Sequence, residues 1–137
     1  MGRDVRFATL HPEIRQAVGR YIEIERMEVA VFEAFKAVNN RVKAMTKLDL
    51  DGSALMGRAF ADVDPPILLG DLSTETGRSI QAGNRFVFMG VVQGIRNPDA
   101  HEQFKPVDEQ EGFEKLGLAS MLMRRLDEAT LRGSSST

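Results

Sequence analysis

Between Arg26 and Thr46 the apolar residues Val31, Phe35, Val38, Val42 and Met45 recur at steps of three and four. At ~3.6 residues per turn this spacing draws one apolar stripe along a helix, and strand alternation does not reproduce it. A helix with one greasy side needs other elements to cover it, because propensity alone does not hold such a helix in water.

The remainder of the chain supplies further helices. Pro12, a favoured first helical residue, opens PEIRQAVGRYIEI, which turns Ile14, Val18, Tyr21 and Ile22 inward. Asp49 to Gly52 closes the long helix. Ser53 is then placed to cap a short helix through Leu55, Met56, Ala59 and Phe60, which Asp64-Pro65-Pro66 ends. The stretch Ile67 to Gly77 has the composition of turns and is expected to lack regular structure. From Gly77 to Ile95, Phe86, Val87, Phe88, Val91 and Val92 would suit a strand, but the length and spacing suit a helix. Gly83, Val87, Gly90 and Gly94 then share a stripe that another backbone can approach closely. The last pattern, VDEQEGFEKLGLASMLMRRLDEAT, has acids in its first turn and Arg124 and Arg125 near its end, as the helix dipole favours. Its core face is Phe113, Leu116, Ala119, Met123 and Leu126. The expected fold is an all-α, single-domain, up-and-down bundle of four to five helices over residues 1–132, with GSSST at 133–137 as a disordered tail.

Composition removes several classes of function. With 137 residues, 42% of them hydrophobic, the chain can bury a core of its own, and with no cysteine it must do so without disulfides. The same absence rules out zinc fingers, iron–sulfur ligation and thiol nucleophiles. His11 and His101 are the two histidines, too few for an all-histidine metal site in one chain. No apolar run approaches the ~20 residues that span a bilayer, and MGRDVRFATLHPE lacks the apolar core of a signal peptide, so a cytoplasmic protein is expected. A net charge of −2 excludes a globally basic nucleic-acid surface.

One segment does not read as scaffold. In GIRNPDAHEQFK, Gly94 to Lys105, Arg96 and His101 stand five apart with Asn97-Pro98 between them. The proline breaks the helix and lets the chain fold back, which can bring a cation, an amide and an imidazole to one corner. An imidazole with an ordinary pKa of ~6.5 moves protons at neutral pH, and a guanidinium grips phosphate bidentately, so no metal or other cofactor is required. From Arg78 to Lys105 four Lys and Arg stand against two Asp and Glu, a local +2. A structural reading stands beside this one: Asn-Pro stops a helix, Asp99 caps the next turn, and His101 is a hydrogen-bonded surface residue. Arg6 and His11 repeat the same interval. There Arg6 falls in a terminus expected to fray, and His11 before Pro12 reads as a helix-start residue. Glu33, on the small-residue side of the long helix with Ala30, Ala34 and Ala37, could approach Arg96 from a packed neighbour.

Five ordered blocks, LHPEI, AVFEAFKAVNNRV, DGSALMGRAF, GIRNPDAH and LGLASMLMRRLDEA, carry a resemblance over Leu10 to about Ala129. Together they resemble the uncharacterised Ymh-like family of the HEPN superfamily (higher eukaryotes and prokaryotes nucleotide-binding domain). That resemblance implies a helical bundle, often dimeric, and in many members a metal-independent ribonuclease of the toxin or phage-defence kind with an R-x(4–6)-H motif. Arg96 then corresponds to the motif arginine, Asn97 to its polar neighbour and His101 to its histidine, and Glu33 could match a supporting acid on an earlier helix; Lys105, from the local basic stretch, is a candidate substrate-binding residue beside Arg96. The implied partners are RNA, a second copy of the chain, and a cognate antitoxin or operon partner, with no membrane. The competing expectation is a non-catalytic helical module that binds nucleotide or protein through the same corner.

Overall fold

The structure, a computed structural model, describes residues 2–96 and 106–132, with side chains described over 5–95 and 106–132. Asn97, His101, Lys105 and the 133–137 tail therefore lie outside the described residues, as does the side chain of Arg96. The chain is all-α. Its helices are α1 (Gly2–Ala8), α2 (Pro12–Glu23), α3 (Met27–Thr46), α4 (Gly52–Ala59), α5 (Glu75–Val91) and α6 (Glu109–Glu128), and α5 runs on into a π-helical turn, Val92–Arg96. One two-stranded antiparallel ribbon, β1 (Ile67–Leu68) with β2 (Thr130–Leu131), pairs Ile67 with Leu131 and Leu68 with Thr130.

The long helix α3 is the centre of the bundle. It packs on α2, α4, α6 and the π turn, and α4 packs on α5. Its expected stripe is buried through Val31, Phe35, Val38 and Val42, with Met45 partly covered. Ile14, Val18 and Ile22 meet it from α2, and Phe113, Leu116, Ala119, Met123 and Leu126 from α6, all buried. Phe60 and Phe88, centroids 4.4 Å apart, close the α4–α5 side.

Three local expectations are corrected. The amino terminus does not fray into coil, since α1 forms and docks. Phe7 lies 3.5 Å from where a Gly19 Cβ would be, and Arg6 reaches Glu109 at 3.3 Å while sitting 4.3 Å over the Phe113 ring. The cap of α4 is Asp51 instead of Ser53. Asn39, buried on α3, fixes this start by donating to the Asp51 carboxylate at 3.0 Å and accepting the Gly52 N–H at 3.0 Å. The Ile67–Gly77 excursion contains β1, and α5 starts at Glu75 because the Thr74 hydroxyl accepts the Gly77 N–H at 2.9 Å. The glycine stripe of α5 is open among the described residues, where a Cβ added at Gly83, Gly90 or Gly94 would meet nothing within 4 Å.

Buried Gln81 holds the excursion to α5. Its amide oxygen accepts the Leu69 and Gly70 N–H groups at 2.8 and 3.3 Å, and its nitrogen donates to the Ile67 carbonyl at 2.9 Å. Gln81→Leu strands these groups, so unfolding in urea should show a loss of about 1–3 kcal/mol. No change would mean that water replaces the amide without cost.

Candidate functional site

The sequence-derived site is built where α5 ends. Buried Phe88, Val91 and Val92 and partly buried Ile95 anchor the chain on the inside, while Gln93 and Gly94 face out. Side-by-side burial of Val91 and Val92 fits a turn wider than the α-helix, and the backbone takes the π form through Arg96. Such wide turns are rare and collect at functional sites. Helix α3 packs directly on this turn, and α3 carries the half-buried Glu33. The structure thus places Arg96 at the end of a wide turn against the helix of Glu33, and Asn97, His101 and Lys105 fall outside the described residues. On the far side of the segment the chain re-enters at α6, where the Asp108 side chain caps the helix by accepting the Glu111 N–H at 3.2 Å.

The other Arg-to-His pair is fully described, and its members part. Arg6 leaves for Glu109 and Phe113, as above. His11 is 5% exposed and sits at the N-cap of α2, where its Nδ1 accepts the Glu13 N–H at 3.0 Å. Because Nδ1 is an acceptor, the neutral ring carries its proton on Nε2, which donates to Asp127 at 2.8 Å. Arg41 completes the corner, with Nη1 2.8 Å from Asp127 Oδ1 and 2.8 Å from Glu13 Oε2. Ser120 is adjacent, its Oγ accepting the backbone N–H of His11 at 2.8 Å.

This corner contains the residue types of two familiar chemistries, and the geometry assigns it neither. Ser120 meets the backbone of His11 and not its ring, so the described imidazole is not aimed at the hydroxyl to take its proton. His11, Glu13 and Asp127 bring ligand-type atoms within 4.8 Å of one another, but the Arg41 guanidinium already bridges the two carboxylates as their cation. The group is a clasp tying α2, α3 and α6 together. The hydrogen bond from His11 is the main reason the Asp127 carboxyl sits below its ordinary range; burial opposes the shift and Arg41 reinforces it.

A carboxyl depressed by folding stabilises the fold above its unfolded pKa of ~3.9, and that contribution disappears as pH falls through the folded value. Between about pH 7 and about pH 3, wild type should therefore lose more stability in urea unfolding than Asp127→Asn does. The difference should shrink at high salt, because the Asp127 side chain is half exposed. Equal losses in the two proteins would mean that the clasp contributes nothing on balance.

Fold and geometry define an all-α bundle in which the described His11–Arg41–Asp127 cluster ties α2, α3 and α6 together. The chain belongs to the family described as protein of unknown function (Hypoth_ymh), whose model matches residues 8–126. Comparison with curated proteins and with solved structures gives no match. Among the described residues, no helix is long and apolar enough to cross a membrane.

Proposed function

We propose that this protein is a metal-independent endoribonuclease of the HEPN type, acting in the manner of a toxin or phage-defence enzyme. The observation that carries the reading is the wide turn delivering Arg96, packed on the helix of Glu33, in a stretch from Arg78 to Lys105 whose local charge is +2 in a chain of net charge −2. In the proposed reaction the ribose 2′-oxygen attacks phosphorus and the bond from phosphorus to the 5′-oxygen breaks. One His101 takes the 2′ proton and a second His101 gives a proton to the leaving oxygen. Arg96 stabilises the charge that develops on the phosphate, Asn97 orients phosphate or imidazole, and Lys105 binds the RNA backbone. Glu33 supports the arginine.

Each chain offers one histidine to this corner, so the working unit is a homodimer in which two corners face one cleft. Pairing also doubles the local positive charge on a protein that is acidic overall, which favours RNA binding. A cognate antitoxin or operon partner would hold such an activity in check.

The test is incubation of the purified protein with mixed RNAs in EDTA. Cleavage should persist, spare DNA and leave 2′,3′-cyclic phosphate ends. Activity abolished by chelation and restored by magnesium, or equal cutting of DNA, would overturn the mechanism. RNA bound tightly and left intact would favour the non-catalytic binding module.

A further inference from the structure

The sequence holds one Asp-Gly pair, Asp51-Gly52, and no Asn-Gly pair. Such a linkage is the most open to spontaneous isomerisation, because glycine has no side chain to keep its own nitrogen away from the preceding carboxyl carbon. In that reaction the Gly52 nitrogen bonds to the side-chain carboxyl carbon of Asp51, and the amide hydrogen leaves with the carboxyl hydroxyl as water. Water then opens the five-membered ring. Opening at the main-chain carbonyl leaves a chain that runs through the side-chain carbon, an isoaspartate of unchanged mass. Glycine is required here, since φ of Gly52 is 64°, a left-handed conformation that residues with a Cβ rarely adopt.

The fold sets one side chain against both reacting groups. Asn39, 1% exposed on α3, accepts the Gly52 N–H at 3.0 Å through Oδ1 and donates to the Asp51 carboxylate at 3.0 Å through Nδ2. Gly52 is buried, whereas the Asp51 side chain is 62% exposed. Ring closure therefore turns on the nitrogen: its hydrogen must pass to a base in solvent, and here it points at a buried amide oxygen. Lys43 Nζ stands 3.1 Å from the second carboxylate oxygen and pairs its charge, and an ionised carboxylate is a poor target for a nitrogen nucleophile. Although Asp51 is the N-cap residue of α4, its carboxylate makes no capping hydrogen bond and is committed to these partners instead.

We infer that Asp51-Gly52 is a site of isoaspartate formation in this protein and that Asn39 restrains it, by engaging the attacking nitrogen and the attacked carboxylate at once. Isomerisation adds a carbon to the main chain at the start of α4, the helix that packs on α3, α5 and the π turn, so it disturbs the ground on which that turn rests. The inference stands apart from the RNA reading, and its readouts do not use RNA.

Wild type, Asn39→Leu and Gln81→Leu are aged at neutral pH and physiological temperature, and the tryptic peptide Leu48–Arg58 is followed by chromatography, where isoaspartate separates as a second peak of the same mass. Labelling by an isoaspartyl methyltransferase confirms the product. Folded wild type should accumulate it slowly, and wild type held unfolded in urea about tenfold faster or more, because freeing two hydrogen bonds, one of them to a charged group, is worth at least that factor. Asn39→Leu should approach the rate in urea while its dichroism stays helical. Gln81→Leu, which loosens a different part of the fold, should keep the wild-type rate. Equal rates in folded and unfolded wild type, or no product in either, overturn the inference. So does Gln81→Leu rising as far as Asn39→Leu, which would assign the protection to global stability. Should Asn39→Leu fail to fold, amide hydrogen exchange of wild type decides: the Gly52 N–H should exchange at least about tenfold more slowly than in the unfolded chain, and exchange at the unfolded rate overturns the restraint.

Discussion

His101→Ala and Arg96→Ala will each lower RNA cleavage by about two orders of magnitude or more, while the melting temperature stays within a degree or two of wild type. The first number is what is typically lost when a proton-transfer group or a stabiliser of developing charge is removed. The second follows from placement. Arg96 is the last residue of the π turn, whose grip on the core comes from Val92 and Ile95. Mixing Arg96→Ala subunits with His101→Ala subunits should leave activity low, since no mixed pair then holds two complete corners. A large fall in melting temperature for both variants would support the structural reading instead, in which Asn97-Pro98 stops one helix, Asp99 caps the next turn and His101 is a surface hydrogen-bond partner.

The largest effect on stability is expected at Phe35. Its ring is 0% exposed at the middle of α3, the helix that α2, α4, α6 and the π turn all pack against. Phe35→Ala removes a fully buried ring and leaves a void in the core, at a cost of about 3–5 kcal/mol. Against a total of about 5–15 kcal/mol for an ordinary domain, that loss brings the chain close to unfolding at physiological temperature. Ile24→Ala is the control. Ile24 is 63% exposed just past the end of α2, so its truncation should change stability by no more than about 0.5 kcal/mol. Urea unfolding of the two variants, followed by dichroism at 222 nm, measures the contrast; comparable losses would mean that α3 is not the keystone of the core.

The helices were legible in the sequence because amphipathic periodicity is a local signal. The stripe Val31, Phe35, Val38, Val42 on α3 and the face Phe113, Leu116, Ala119, Met123, Leu126 on α6 can each be read without knowing what lies opposite. His11 was legible in part, since its place before Pro12 announced a helix start. Its ties to Asp127 and Ser120 were not, because they join positions more than a hundred residues apart and only packing of α2 on α6 brings them together. Gln81 is similar. A glutamine in a helix reads as surface, and only the return of the Ile67–Gly70 segment along α5 turns it into a buried bracket.

By itself, then, the sequence determined an all-α fold without disulfides, the positions of its main helices, and a connection between α5 and α6 rich in groups suited to phosphate chemistry. Tertiary structure decided which polar residues are spent on scaffold, how α1 docks, where the helix widens before Arg96, and that the glycine face of α5 looks outward. The division has one physical cause. Helical periodicity and capping act over three or four residues and are written into neighbouring positions, whereas burial, ion-pair partners and the free face of a helix depend on which surfaces the folded chain has already covered.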